Sequence, residues 1–431
     1  MKSPIRFLVP ALFAGILSTS FAAEPATPWT VRADHENALY QTGETVTFTV
    51  TLGADSKIAP DGELHWTLTK DGVAPRTTGK VKLEGGKGTI TGKLGEPGFL
   101  LCRVSSEADG KGAGSSWGVG VSPEKIGRSM PIPDDFDAFW KGQLAKLAEV
   151  PLNPVLTPVK DEKNKNLESF DTRVDCIGPK VSGYFSRPVG AKPKSLPAVI
   201  SLHGAGVRSA GLGGATNWAL QGFLAMDINA HGIDNGKDEA FYKALSENEL
   251  KDYRAIGRDS REKGYFVGMF LRVKRGLDFL CSQPEWDGKT LIVSGGSQGG
   301  FQAFAGAALD ERVTVMIAHV PAGCDHTGML ADRVAGWPKM VPVVNGKPDP
   351  AVLEASRYVD NVNFAARCKA KIAVVSVGFV DGVCPPTSVY AAYNELPLTD
   401  KKIINVPGMG HSVSDPVYKE ARAFVKERLG K

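Results

Sequence analysis

Thr290-Leu-Ile-Val-Ser-Gly-Gly-Ser297-Gln298-Gly299-Gly300-Phe301-Gln-Ala-Phe-Ala-Gly-Ala-Ala is the stretch that decides the fold. An apolar run of strand length enters Gly-x-Ser-x-Gly and continues into a small-residue segment with helical character, so the predicted order is strand, tight turn, helix. A serine at the tip of such a turn sits in a strained backbone conformation that only small neighbours tolerate. Gly295 and Gly299 have that steric reason to be glycine, and Ser297 is the candidate nucleophile.

A serine hydroxyl is a weak nucleophile at neutral pH and needs a histidine to take its proton and an acid to orient that histidine. Where a strand-elbow-helix unit carries the serine, the chain order of an α/β-hydrolase is Ser, then Asp or Glu, then His. His411 is the only histidine after residue 326, in the glycine-containing loop Val406-Pro-Gly-Met-Gly-His411. The apolar strand Lys371 to Val377 runs into Gly378-Phe-Val-Asp381-Gly, which makes Asp381 the preferred acid and leaves Asp360 in reserve. The oxyanion is expected to meet the amides of Gln298, after the nucleophile, and Ala205, in the His203-Gly204-Ala205-Gly206 loop after an earlier buried strand. His203 itself reads as structural.

Outward from the elbow, strand-like runs at Ala198 to Leu202, Phe223 to Ile228, Val313 to His319 and Lys371 to Val377 alternate with helical stretches such as Phe266 to Ser282. This alternation predicts an α/β fold with a mostly parallel, doubly wound sheet over residues 134–431. The texture differs before residue 121. Glu44 to Leu52 places apolar residues at every second position, and further short runs follow with Asp71-Gly72 and Gly85-Gly86 turns between them. Residues 24–121 are therefore predicted to form a small all-β, immunoglobulin-like sandwich. A structural or oligomerising cap is preferred over a carbohydrate-binding module, for want of an exposed aromatic platform signature. Residues 122–133, with three prolines and a glycine, read as a linker.

Residues 1–22 have the form of a signal peptide: Lys2 and Arg6, an apolar run from Phe7 to Leu17, and small residues at Ser20 and Ala22. The run is too short for a membrane anchor, and the expected product is soluble in the periplasm or outside the cell. In 431 residues, 42% hydrophobic and 23% charged positions exclude disordered, collagen-like and coiled-coil classes. The balance of 51 Lys+Arg against 47 Asp+Glu has no basic block, so nucleic-acid binding is not expected. Six cysteines without a CxxC pair and seven scattered histidines suggest neither a disulfide scaffold nor a metal site, although some cysteines are open to pairing. No metal and no cofactor is expected.

With these residues in place, the region from about Ile132 resembles the acetyl xylan esterase and cephalosporin C deacetylase family of α/β-hydrolases. The matching stretches are Pro133-Asp-Asp-Phe136-Asp-Ala-Phe139-Trp140, Gly295-Gly-Ser297-Gln-Gly-Gly300, Pro321-Ala-Gly-Cys324-Asp325, Tyr358-Val-Asp360-Asn-Val-Asn363 and Asp381-Gly-Val-Cys384-Pro385-Pro386. The resemblance implies a triad of Ser297, Asp381 and His411 and an oxyanion hole of Ala205 and Gln298. Two positions depart from the family pattern. Ser412 follows His411 where the family has glutamate, and Asn229-Ala230-His231-Gly232 stands where it has Arg-x-x-Gly. His231 thereby becomes a candidate for the substrate pocket, and His326, just after Cys324-Asp325, is another.

The function implied is a secreted serine esterase that removes O-acetyl groups from polysaccharides or oligosaccharides such as acetylated xylan. Two rivals are a serine peptidase of prolyl-oligopeptidase type, opposed by Gln298 and the Cys384-Pro385-Pro386 segment, and a non-catalytic carbohydrate binder, opposed by the complete triad. A homo-oligomer is left open, because the added sandwich prevents transfer of the ring-like assemblies of the compact family members.

Overall fold

A computed structural model describes residues 28–108, 110 and 112–430. The signal-peptide segment lies outside the described residues.

The N-terminal region is two sheets face to face. One has three strands in the order Trp29–Ala33, Val46–Leu52 and Lys87–Gly92; the other has five in the order Leu39–Tyr40, Gly114–Val121, Gly98–Ser105, Glu63–Lys70 and Arg76–Lys82. Val46, Phe48 and Val50 alternate inward and are fully buried, as a half-buried antiparallel strand requires. Leu64, Leu100 and Val104 meet them from the other sheet.

The Pro-rich stretch 122–133 is not a loose tether. Ser122 is fully buried, the Asn394 side-chain amide donates to Pro123 O at 2.9 Å and Ile126 O at 2.8 Å, and Arg128 pairs with Glu395. Ser129 Oγ donates to Asp325 Oδ1 at 2.5 Å. Proline restricts the conformations of such a segment, and these bonds seat it on the following domain.

That domain is built on a nine-stranded sheet in the order Asp400–Val406, Ile372–Gly378, Val315–His319, Trp286–Gly296, Leu196–Leu202, Leu224–Ile228, Val181–Pro188, Leu167–Val174 and Val155–Pro158. The first six run parallel to one another and the last three antiparallel. The parallel part is the sheet predicted from the alternation of strands and helices. The antiparallel extension lacks helical crossovers between its strands and so left no such trace.

Strands in the middle of the sheet are buried on both faces. Val199, Ile292, Val315 and Val374 face the helices Leu212–Ala219 and Asp415–Leu429. Their neighbours Ile200, Val293, Met316 and Val375 face the side of Tyr265–Ser282 and Gln298–Leu309. A period of two along each strand thus supplies two apolar faces, each covered by helices.

The sandwich is joined to this domain by aromatic packing. The Phe99 ring lies 4.9 Å from Phe379 in edge contact and 5.4 Å from Tyr390, and is fully buried. Replacing Phe99 with Ala is expected to lower the free energy of unfolding by about 3–5 kcal/mol, measured by denaturant unfolding followed in both near- and far-ultraviolet circular dichroism.

Candidate active site

Ser297 follows the strand Trp286–Gly296 and precedes the helix Gln298–Leu309, with φ 56° and ψ −120°. The turn closes because nothing projects into it. A Cβ on Gly295 would lie 2.4 Å from the Gly299 carbonyl carbon, and one on Gly299 would lie 1.9 Å from Leu202 O. Neither contact can be met by a rotamer change, since the opposing atoms are backbone. Ser297 N donates to His319 O at 2.9 Å, and Ser297 O accepts from Phe301 N and Ala322 N at 3.0 Å each. The strained residue is over-determined on both sides, as a functional strain must be.

His411 Nε2 lies 2.8 Å from Ser297 Oγ, and His411 Nδ1 lies 2.8 Å from Asp381 Oδ2. The other Asp381 oxygen accepts from Val383 N at 2.8 Å and Cys384 N at 2.9 Å. The Asp381 side chain is fully buried while the imidazole keeps 23% exposure. With Nδ1–H donated to the carboxylate, Nε2 is the ring's acceptor and faces the hydroxyl. The loops carrying these side chains are laced together: Phe379 N donates to Val406 O at 3.1 Å and Val380 N to Met409 O at 3.3 Å.

Asp360, the reserve acid, is elsewhere. It caps the helix Asn361–Ala365 through Val362 N at 2.9 Å and accepts from Asp325 N at 2.8 Å and His326 N at 2.6 Å. Its work is to fix the 325–326 backbone, and Asp381, not Asp360, is the acid on His411.

Gln298 begins its helix, so its backbone N–H has no partner within the helix and points out at the positive end of the helix dipole. The His203–Gly206 loop passes beside the serine, for a Cβ on Gly204 would lie 3.7 Å from Ser297 Cβ, and Ala205 is exposed there. His203 is held by its ring, with Nδ1 2.7 Å from Gly204 O and Nε2 accepting from Ala230 N at 3.1 Å.

Of the two pocket candidates, His231 is buried directly behind this loop. Its Nε2 lies 3.2 Å from Gly206 O and its Nδ1 2.7 Å from Tyr265 Oη. The Tyr253 ring meets it edge-on at 4.6 Å, and Tyr253 Oη donates to Gln298 Oε1 at 2.5 Å. Tyr253 and Tyr265 therefore brace both sides of the proposed oxyanion hole. Sequence reasoning missed them, because the irregular 248–264 region has no periodicity to place Tyr253. His326 is buried against Phe301 at 5.6 Å, and its Nε2 has no partner. Neither histidine presents an open face.

Asp381, Cys384 and His411 bring three possible metal-donor atoms within 4.8 Å of one another. Two of the three are already bonded to each other, and burial holds the Cys384 thiol well above its ordinary range, so the set favours proton relay over metal binding. All six cysteines are free thiols.

The profile of the acetyl xylan esterase (AXE1) family matches residues 126–428, well over half of the chain. The acetyl esterase Axe7A of Xylanibacter ruminicola is 31% identical over 391 residues, covering 87% of this chain and 85% of that protein. That span is longer than the family match, so the likeness extends into the sandwich. An acetyl xylan esterase from Paenibacillus sp. R4 superposes with a TM-score of 0.61 at 26% identity, covering 71% of this chain and 98% of its own. Acetyl xylan esterase 1 from Thermoanaerobacterium sp. JW/SL YS485 shares the fold, with a TM-score of 0.55 at 23% identity over 71% of this chain and 97% of its own.

Burial pushes His203 and His319 down to about 4, and His231 and His326 down to about 3, from an ordinary 6.5. The unfolded chain then takes up protons below 6.5 that the folded chain refuses, so stability present above 6.5 is lost as the pH falls towards 4. The buried carboxyls of Asp227 and Asp360, raised to about 7, act in the opposite direction, so the expectation is a difference: across that window the thermal midpoint falls less steeply, or rises more, in His326→Leu, which removes one such imidazole, than in the parent chain, as scanning calorimetry at stepped pH measures.

Proposed function

Since the chain belongs to the acetyl xylan esterase family of carboxylic ester hydrolases, we propose that it removes O-acetyl groups from acetylated polysaccharides or oligosaccharides such as xylan, through an acetyl-serine intermediate. The observation that carries the mechanism is the unbroken relay from Ser297 Oγ through His411 to Asp381, with both links at 2.8 Å.

Ser297 Oγ attacks the acetyl carbonyl as its proton passes to His411 Nε2. Asp381 keeps Nδ1–H in place and balances the imidazolium that forms. The carbonyl oxygen, now an oxyanion, accepts from the backbone amides of Gln298 and Ala205, preorganised donors whose effect is larger in a site sheltered from water. Collapse of the tetrahedral intermediate breaks the bond to the sugar oxygen, which leaves with the proton from His411. Water then attacks acetyl-Ser297 with His411 as base; acetate departs and the serine is restored.

The exposed edge of the His411 ring and the exposed Ala205 loop support an opening that takes an ester on the rim of a large substrate. The Lys2, Arg6 and apolar leader support export to the periplasm or beyond, where polysaccharide is met. Among the described residues no helix is long and apolar enough to cross a membrane.

Acetate release from acetylated xylan, together with hydrolysis of a simple aryl acetate, tests the reading. Ser297→Ala is expected to lose turnover by about a million-fold and Asp381→Asn by about ten-thousand-fold, both with unchanged circular dichroism. Undiminished turnover in Ser297→Ala would overturn the assignment. Aryl acetate hydrolysis without release from xylan would keep Ser297 and move the substrate to another acetylated sugar.

A further inference from the structure

One strand of the sandwich, Gly114–Val121, lies directly on the loops that carry Asp381 and His411. Gly118 N donates to Pro407 O at 2.9 Å, just before the histidine. A Cβ on Gly118 would come within 2.7 Å of both Cβ and O of Phe379, just before the aspartate. Beside it, the six-membered ring of Trp117 covers Gly408 so closely that a Cβ there would meet Cζ3 at 2.8 Å. Arg32 stacks its guanidinium 4.1 Å from the centre of the Trp117 ring and steadies the indole. A fourth contact falls beyond Asp381, where Thr387 Oγ1 donates to the buried carboxylate of Asp71.

Of the two loops, the one before His411 has the thinner bracing of its own, from Met409 N to Val406 O at 3.1 Å, Ser412 N to Gly410 O at 2.9 Å and Val380 N to Met409 O at 3.3 Å. Pro407-Gly408-Met409-Gly410 contains two glycines, and glycine has the most backbone freedom to lose. The loop must nevertheless set His411 to hydrogen-bond accuracy against Ser297. We propose that the N-terminal sandwich is a positioning element of the active site: Trp117 and Gly118 clamp the 407–410 loop and thereby hold His411 in line with Ser297 and Asp381. The proposal rests on the triad reading given above. Trp117 acts through the loop and touches no reacting group.

The effect expected is on turnover rather than on substrate affinity, because a displacement of about 1 Å in a catalytic group can cost about a hundred-fold in rate. The test uses the full chain and an aryl acetate, each variant being assayed well below its own thermal midpoint. Trp117→Ala is expected to lower kcat by about tenfold or more with KM little changed, and Trp117→Phe, which keeps a ring against Gly408, to recover most of it. Gly408→Ala approaches the same contact from the other side and is expected to lower kcat similarly. The double variant should be less impaired than the product of the singles, since the new methyl enters the space the indole leaves.

Unchanged kcat in both single variants would overturn the proposal, and so would a rise in KM with kcat intact, which would make Trp117 a substrate contact. If Trp117→Ala does not fold, Gly408→Ala decides alone: lowered kcat at an unaltered midpoint supports the clamp, and unaltered kcat overturns it. Ser297→Ala run alongside separates the two readings. If it retains turnover the triad assignment has failed, whereas its loss beside fully active Trp117 and Gly408 variants means that only the clamp has failed.

Discussion

The site depends on a backbone that turns at Ser297 with φ 56° and is locked there by close approach. The lock is the contact of Gly299 with Leu202 O, where any Cβ would lie at 1.9 Å. It ties the nucleophile's helix to the end of a neighbouring strand, and so brings the Gln298 amide and the His203–Gly206 loop to the same side of the hydroxyl. A larger residue at this one position would part the serine from both proposed oxyanion donors. The cost of holding a non-glycine residue at positive φ is offset by the central strands, which are buried on both faces and resist local adjustment.

The opposite half of the site has the reverse character. Asp381 and His411 stand on loops after two adjacent parallel strands, and the loops bond to each other through Val380 and Met409. Parallel pairing of Ile372–Gly378 with Asp400–Val406 aligns the strand ends, which places the acid and the histidine side by side even though 30 residues separate them. The aspartate is secured by its own backbone donors, Val383 and Cys384. The histidine loop is glycine-rich and has few such bonds, and there the neighbouring domain adds one from Gly118 N to Pro407 O.

Around the two halves lies a layer of buried imidazoles and phenols. His203 and His231 hold the loop beside the serine, Tyr265 bonds to His231, Tyr253 packs on His231 and donates to Gln298, and Asp360 ties down the 325–326 backbone. Neutral histidines serve here as combined donors and acceptors, meeting the carbonyls of Gly204 and Gly206 and the amide of Ala230. The His231 assignment shows the limit of a one-dimensional reading. Its departure from the family pattern marked it for the pocket, and only its bonds to Gly206 and Tyr265 place it behind the loop instead.

Local physics made much of this protein legible without coordinates. The elbow was readable because its glycines answer a steric demand inside five consecutive residues. Asp381 and His411 followed because chain order and strand ends restrict where their partners can fall, and the two-fold alternation of Val46 to Leu52 identified the sandwich. Local pattern along the chain was therefore enough for the class of each domain, the parallel core of the sheet and the residues able to form a relay. The tertiary structure alone decided the antiparallel extension of the sheet, the burial of the Pro-rich segment, the duty of Asp360 and the bracing by Tyr253. It also decided that Trp117 and Gly118 press on the histidine loop. Each of these is a contact between residues distant in sequence, set by how two finished surfaces meet, and no periodicity or local propensity along the chain encodes such a meeting.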